Sequence, residues 1–234
     1  MTRKLILVII LHYFKVVPTK IKYKHRLFKK QYTHFYSKIL IKIIKRCYMP
    51  FVVVIMGSKS DWQVMKECIA VLKKFEIPFE LHISSAHRTP ERTKEIVLDA
   101  VKRGAEVFIG AAGMAAHLAG SIAAHTLKPV IAVPLTGGML DGLDSLLSSV
   151  QMPQAVPVAT MGIGKAGAIN AAFLATQILS LLPQYTHLSK LLIQERQERA
   201  QKLEEDTKDL QNKIANEELK EEHQRYEVTK YLIQ

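Results

Sequence analysis

The sequence is poor in cysteine and has no long apolar run near its start. Cys47 and Cys68 are the two cysteines among 234 residues, too few for a disulfide framework or a cysteine-rich metal site. Such scarcity fits a protein of the reducing cytoplasm. The most apolar run of the first 48 residues, 5–11, is seven residues long, whereas a membrane-spanning helix needs about 20. We therefore expect no membrane partner.

The first 48 residues also lack Asp, Glu, Gly and Ala. They carry thirteen of the 33 Lys and Arg residues, which leaves twenty basic and 21 acidic residues in the remainder. The net charge of +12 thus belongs to this extension and is poor evidence for a specific nucleic-acid partner. No small-residue cleavage site follows the apolar run, and Ser37 is the extension's one serine, so neither a signal peptide nor a transit peptide is predicted. Two hypotheses remain for 1–48: a disordered or non-native stretch before a true start at Met49, and a functional basic arm.

From residue 51 onward, short β-branched runs alternate with helical patterns. Strands are predicted over 51–56, 79–84, 107–110, 130–133 and 156–160, and helices over 64–75, 90–103, 114–125 and 166–182. This alternation predicts a parallel sheet with helices on both faces, the three-layer doubly wound α/β class that is flavodoxin-like or Rossmann-like. We expect this catalytic domain to span 49–183.

Residues 184–234 differ again, because Glu, Lys, Gln and Arg dominate and leucines are sparse. The pattern predicts a charged helical tail that is exposed to solvent, with docking on a neighbouring subunit as an alternative. Acidic residues balance basic ones here, which argues against nucleic-acid binding.

In a doubly wound fold, ligands bind outside the carboxyl ends of the strands, where the chain turns into helices. Functional residues should therefore cluster just after residues 56, 84, 110, 134 and 160. Candidate motifs follow the first four of these points.

The first motif is Gly57-Ser58-Lys59-Ser60-Asp61, between the first strand and the first helix. Ser60 is predicted to cap the helix, whose free N–H groups could then face an anion. Asp61 could accept hydrogen bonds from ribose hydroxyls, as an acid does in dinucleotide folds. An ordinary capped turn is an equally good interpretation of this motif alone, and the spacing excludes a P-loop.

The second motif, Ser84-Ser85-Ala86-His87-Arg88-Thr89-Pro90, follows the next strand. Arg88 offers a planar fork for phosphate, and the imidazole of His87 can give and take a proton near neutral pH. A His-Arg pair in a loop is more often exposed at the surface without a specific function. Here its position beside the first motif favours a functional role.

The third motif runs from Gly110 to Gly120 and includes Gly113, Met114 and His117. Small residues let the backbone approach a planar ligand, although they also let helix and sheet pack closely. His117 is predicted in the first helical turn, where it has either a chemical role or only a backbone partner.

The fourth segment, 134–153, combines Gly137-Gly138 and Gly142 with Gln151-Met152-Pro153, and we interpret it as a lid. Asp141 and Asp144 have no His or Cys placed to join them as metal ligands, so no metal is expected.

Together the motifs resemble those of the class I (bacterial-type) 5-(carboxyamino)imidazole ribonucleotide mutases, the catalytic subunit of phosphoribosylaminoimidazole carboxylase. G-S-x-S-D, S-A-H-R-T-P, G-x-A-A-H-L-x-G and D-S-L-x-S-x-V-Q-M-P followed by P-V-A-T occur in that order between 51 and 182. The resemblance implies an isomerase of purine (IMP) biosynthesis that converts 5-(carboxyamino)imidazole ribonucleotide to 4-carboxy-5-aminoimidazole ribonucleotide. It implies no cofactor.

The resemblance also implies roles for the residues that bind the ribonucleotide substrate. Ser58, Ser60 and Asp61 match the first-loop residues that hold phosphate and ribose. Ser85 and Arg88 match the phosphate contacts of the second loop.

The resemblance implies that three other positions take part in the chemical step. His87 matches the general acid and base of the family, while Gly113 and His117 match the loop that faces the imidazole and the migrating carboxyl. The family is octameric with sites near subunit boundaries, so 151–153 could serve the site of a neighbour.

This chain departs from the usual family pattern at a few positions. Gly110-Ala111 stands where Ala-Gly is usual, Met114 and Ala155 replace glycines, and Ala119 replaces a proline. These changes could reshape the pocket wall or stiffen the corner near 155, but none affects His87.

Two alternatives stay open. The related carboxylase acts on free aminoimidazole ribonucleotide and carbon dioxide, and its motifs differ from S-A-H-R-T-P and Q-M-P; assaying both substrates separates the two activities. A non-catalytic nucleotide-binding module of flavodoxin-like type would bind ligand without turnover and without dependence on His87.

A chain that starts at Met49 should fold, assemble and turn over substrate like the full chain, because every predicted strand and helix of the domain lies after that residue. Its affinity for polyanions should fall, since thirteen cations are removed. Thermal stability, oligomer size and turnover of both chains at two salt concentrations test this expectation. Loss of assembly or activity would show that 1–48 belongs to the working enzyme.

Overall fold

The computed structural model describes residues 49–232, so the 1–48 extension and Cys47 lie outside the described part. The strands are β1 (Phe51–Met56), β2 (Phe79–Ile83), β3 (Ala105–Gly113), β4 (Val130–Leu135) and β5 (Ala159–Thr160). They form one sheet in the order β2-β1-β3-β4-β5, and each neighbouring pair is parallel. This is the flavodoxin-like strand order.

The α-helices of the described part connect these strands. They are α1 (Trp62–Lys74), α2 (Pro90–Arg103), α3 (Leu118–Ala123), α4 (Leu143–Val150), α5 (Gly164–Ser180) and α6 (His187–Leu232). Short 3₁₀ segments precede α1 at Lys59–Asp61 and α6 at Pro183–Tyr185.

Strand β1 is the centre of the core because all six of its residues are buried. Alternate side chains point to opposite faces of a strand. Val52, Val54 and Met56 pack in the cluster that includes α1 and α5, while the intervening side chains of β1 pack with α2 and α3. Helices thus cover both faces, and the predicted doubly wound class is confirmed.

Helix ends follow local sequence signals, with one correction. Helix α2 has Pro90 in its first turn and ends at Gly104, whose φ of 104° suits glycine, as predicted. The predicted cap at Ser60 is wrong, because Ser58 is the N-cap and Ser60 lies inside the 3₁₀ turn. The side chains of Ser58 and Asp61 form a capping box across that turn.

Two predicted elements differ from the structure. Helix α3 begins at Leu118 rather than 114, because β3 continues to Gly113 and Met114 has a φ of 57°, outside the helical region. The segment interpreted as a lid contains helix α4, and only its flanks are irregular. Its leucines and valine at 143, 146, 147 and 150 have helical spacing, a pattern that the sequence interpretation missed.

The predicted charged helix exists as α6, and its first turns pack on the domain. Tyr185 and Leu188 are fully buried in the core, and the Tyr185 hydroxyl donates to the Pro50 carbonyl across 2.5 Å. Glu195 accepts hydrogen bonds from Lys74 and Arg199, and these partners, Lys74 foremost, lower the pKa of its carboxyl. The beginning of α6 is therefore attached to the domain in two ways, by apolar packing in the core and by the ion pair of Glu195 with Lys74 of α1.

Among residues 49–232, none of the helices combines the length and apolar character needed to cross a membrane. No group of three or more His, Cys, Asp or Glu side chains in this part of the chain is arranged to hold a metal ion. Cys68 is a buried free thiol whose pKa burial raises to about 12.

Ala155 is exposed and has a φ of 68°, at a position where the resemblance leads us to expect glycine. The left-handed region costs a residue with a Cβ about 1–2 kcal/mol. Glycine avoids this cost, but part of the gain in stability is lost because glycine has more conformational freedom in the unfolded state. We expect Ala155→Gly to stabilise the protein by about 0.5–1 kcal/mol net.

The measurement is chemical denaturation, with Ala70→Gly as the matched control. Ala70 is exposed in the interior of helix α1, where glycine should cost about 0.5–1 kcal/mol. A loss of stability in both variants would mean that residue 155 is not strained.

Candidate active site

The loops that leave β1, β2, β3 and β4 at their carboxyl ends enclose a cavity of about 530 Å³. This is the edge at which the sequence predicted functional residues. The cavity is lined by Gly57, Ser58, Ser60, Asp61, Ser85, Ala86, His87, Arg88, Ala112, Gly113, Met114, Ala115, Leu118, Thr136 and Gly137.

The loop after β1 is held by hydrogen bonds within the 57–61 motif. The carboxylate of Asp61 accepts from the Ser58 N–H at 2.8 Å, and the Ser60 hydroxyl donates to the Ser58 hydroxyl at 2.9 Å. Burial raises the pKa of the Asp61 carboxyl above its ordinary value, and hydrogen bonds, first that from the Ser58 backbone, act against this shift. A partly desolvated carboxyl gains from a further donor, and ribose hydroxyls are such donors.

The loop after β2 is held by three hydroxyl side chains. Ser84 is buried, and its Oγ lies 3.2 Å from Thr89 Oγ1 and 2.8 Å from Thr93 Oγ1. Thr89 Oγ1 accepts from the Ser85 N–H at 3.0 Å. These bonds fix the loop that carries His87 and Arg88, and the network was not predicted from the sequence.

Arg88 connects the first two loops. Its Nη2 donates to the Gly57 carbonyl at 2.9 Å, and its backbone N–H donates to Ser85 Oγ at 3.2 Å. The guanidinium has five N–H donors. Because the bond to Gly57 uses one of them, the others can donate to a ligand. It lies beside Ser58 and Ser60 in the cavity wall, which makes this end of the cavity suitable for an anion.

The loop after β3 brings His117 to His87. Nδ1 of His117 lies 2.8 Å from Nε2 of His87, and the two rings are nearly perpendicular, at 78°. His117 occupies the N-cap position of α3 rather than the helix, and it contacts His87 without itself lining the cavity. Both imidazoles are exposed to solvent and hence to a ligand.

Gly113 is the last residue of β3 and pairs with Leu135 at the end of β4. A Cβ at this position would be 3.2 Å from the carbonyl oxygens of Leu135 and Thr136, so a side chain would push the strands apart. Glycine keeps this wall of the cavity flat, which suits a planar ring.

Of the predicted site residues, all but His117 line the cavity, and His117 bonds to one that does. The sequence interpretation did not single out Thr136 and Gly137, although they follow β4 at the expected edge. Residues 151–153 do not line this cavity; Met152 covers Gly120 instead. The arrangement thus joins an end suited to an anion to a pair of imidazoles in hydrogen-bond contact.

Comparison with solved structures supports this fold. The chain is similar to the crystal structure of Treponema denticola PurE, with a TM-score of 0.59 and 30% identity over 67% of this chain and 96% of that chain. A second crystal structure, of a Treponema denticola PurE2 variant, gives a TM-score of 0.60 at 28% identity and covers 67% of this chain and 95% of that chain.

Curated relatives are more similar in sequence. A protein of Saccharolobus solfataricus is 56% identical over 133 residues, which cover 57% of this chain and 83% of that protein. One of Pyrococcus horikoshii is 49% identical over 69% of this chain and 89% of its own length. Both are named N5-carboxyaminoimidazole ribonucleotide mutase.

The family model described as AIR carboxylase matches residues 51–202, which include every strand of the described part, helices α1 to α5 and the first turns of α6. The resemblance seen in the sequence motifs is therefore confirmed, and the chain belongs to the AIR carboxylase family.

Proposed function

We propose that this chain is an N5-carboxyaminoimidazole ribonucleotide mutase, an isomerase of purine biosynthesis. It converts 5-(carboxyamino)imidazole ribonucleotide to 4-carboxy-5-aminoimidazole ribonucleotide. The observation that carries this proposal is the His87–His117 pair beside an anion-binding end of one cavity, in a chain whose relatives bear that name.

The substrate has a phosphate at one end and a planar imidazole at the other, and the cavity matches this polarity. The phosphate binds to Arg88 and the hydroxyls of Ser58, Ser60 and Ser85, which lie together in the wall. Asp61 accepts hydrogen bonds from the ribose. The imidazole ring then lies against Gly113, with its carboxyamino group towards His87.

The first chemical step is decarboxylation of the carbamate. His87 in its cationic form protonates the exocyclic nitrogen, the bond between this nitrogen and the carboxyl carbon breaks, and carbon dioxide is released into the cavity. Once the substrate fills the cavity and displaces its water, the carbon dioxide is kept beside the electron-rich ring carbon. Proximity replaces an encounter with dilute carbon dioxide.

The second step forms the new carbon–carbon bond. The ring carbon attacks carbon dioxide, and neutral His87 then removes the proton of that carbon and restores the aromatic ring. His87 ends in the protonation state in which it began, so the cycle needs neither an external base nor a cofactor. His117 contacts Nε2 of His87 and thereby holds its ring in one orientation during both transfers.

We also propose that the enzyme is a homo-oligomer, an octamer as in its family, and works in the cytoplasm. An exposed apolar surface supports association. It comprises the outer face of α4 and the loop before it: Met139, Leu140, Leu143, Leu147 and Val150. Side chains of this kind on a continuous surface commonly mark a protein interface. Sedimentation analysis of the full chain measures the assembly directly.

Replacing His87 by Asn should abolish turnover and leave substrate binding largely unchanged. Asn keeps polarity and similar size but cannot transfer a proton near neutral pH, and such catalysis is worth about 10²–10⁴-fold. Steady-state turnover and calorimetric binding test this, with His125→Asn as the control because His125 lies at the end of α3, outside the cavity lining. Activity of His87→Asn within about tenfold of the parent would refute the acid–base role.

Replacing Arg88 by Lys should weaken substrate binding, because a point charge cannot reproduce the planar fork on phosphate. We expect a loss of about 1–3 kcal/mol, the scale of a charge-assisted hydrogen bond. This corresponds to roughly five- to 150-fold in affinity.

The matched control is Arg92→Lys, at an exposed position of α2 that does not line the cavity. The measurement is the Michaelis constant and direct binding of the substrate. An unchanged Michaelis constant and rate in Arg88→Lys would show that Arg88 does not contact the phosphate.

A further inference from the structure

The four residues between β3 and α3 carry His117, and they need external support. Met114 has a φ of 57°, and the His117 N–H is used in a tight turn to the Ala115 carbonyl at 2.8 Å. Ala116 is buried, with 3% of its surface exposed. A buried N–H without a partner is costly, so the bond that Ala116 makes decides where this loop rests.

Helix α4 supplies that bond through Ser148. Its Oγ accepts a hydrogen bond from the Ala116 N–H at 3.0 Å. The same hydroxyl donates its proton to the Asp144 carbonyl, one helical turn earlier, at 2.8 Å. A hydroxyl can donate once and accept twice, so both contacts form together. The carbonyls of Ser145 at 3.2 Å and of Met114 at 3.4 Å are longer alternative acceptors.

The neighbouring side chain of α4 does not have the same role. Ser149 is also buried, but its short bond runs within the helix, to the Ser145 carbonyl at 2.8 Å. Its contact with the Ala116 carbonyl is 3.4 Å long. Ser148 is thus the α4 side chain that holds the loop by a hydrogen bond of ordinary length.

We propose that Ser148 is a positioning residue for the mutase reaction, acting through His117 on His87. The inference rests on the proposed function. Ala116 directly precedes His117, and buried Leu118 fixes the other side of that histidine in the core. With Ala116 held by Ser148, Nδ1 of His117 stays within 2.8 Å of His87 Nε2. Ser148 itself does not line the cavity, so we expect it to act without contacting the substrate.

A side chain with this role has a distinct kinetic signature. The phosphate and ribose contacts belong to the loops after β1 and β2, which Ser148 does not touch, so binding should survive its loss. The rate of proton transfer depends on the imidazole pair, and small misplacements of reacting groups cost up to about a hundredfold in rate. Loss of Ser148 should therefore lower kcat and leave KM nearly unchanged.

The experiment compares Ser148→Ala, Ser148→Thr and Ser180→Ala in the full chain. Ser180 also donates to a carbonyl of its own helix, Gln177 at 2.6 Å, far from the cavity, so it controls for loss of a helical serine hydroxyl. We expect Ser148→Ala to lower kcat roughly ten- to hundredfold with KM within about threefold. Ser148→Thr keeps the acceptor oxygen and should recover most of the rate, and Ser180→Ala should behave like the parent.

A double-mutant cycle with His117→Ala tests the route of the effect. If Ser148 acts through His117, adding Ser148→Ala to His117→Ala should lower kcat by less than about threefold further. An equal loss of rate in both backgrounds would overturn the proposal, because Ser148 would then have only a general structural role. Parental kcat in Ser148→Ala would overturn it as well.

A readout independent of turnover separates this inference from the proposed function. The ring nitrogen chemical shifts of His87 and His117 report their mutual hydrogen bond. They should change in Ser148→Ala and remain unchanged in Ser180→Ala. Absence of mutase activity in the parent would refute the proposed function alone, whereas unchanged histidine shifts in Ser148→Ala would refute the positioning role whatever the activity.

Discussion

Strand β1 hydrogen-bonds to β2 along one side and to β3 along the other, and all three strands run in the same direction. The loops that leave their carboxyl ends are therefore neighbours, although the residues they carry lie far apart in the sequence. His87 and His117 meet because of this arrangement, and Arg88 reaches the Gly57 carbonyl for the same reason. The complete burial of β1 keeps the strand in place, so packing of the core determines the geometry of the site.

Under the proposed function, the site divides into a part that binds the substrate and a part that reacts with it. Serine hydroxyls, Arg88 and Asp61 form an end suited to a ribose phosphate, and its loops are fixed by their own hydrogen bonds. The reacting end has two imidazoles and a flat glycine wall. One proton taken and returned is all that the carboxyl migration requires of the protein, so a general acid–base and a confined space suffice. In the proposed positioning role, Ser148 of helix α4 supports the reacting end from outside the cavity through its hydrogen bond to Ala116.

Much of this was predictable from the sequence, for identifiable reasons. The apolar runs and their alternation with helical patterns predicted the parallel sheet, and the rule for strand ends located the loops of Ser58, His87 and Gly113. Local periodicity could not show that Ser58 rather than Ser60 caps the turn, since either hydroxyl has suitable spacing. The left-handed backbone at Met114, which delays α3, depends on β3 pairing with β4 as far as Gly113. The contact between the two histidines and the bond from Ser148 to Ala116 join distant residues, so only the fold reveals them.

The most direct test of the account follows the migrating carboxyl itself. Substrate labelled with ¹³C in its N-carboxylate would be converted by the full chain in buffer containing unlabelled bicarbonate. The account predicts that the label appears in the 4-carboxylate of the product, because carbon dioxide stays in the cavity between the two steps. Product that carries carbon from the unlabelled pool, or product formed only from free aminoimidazole ribonucleotide and dissolved carbon dioxide, would contradict it.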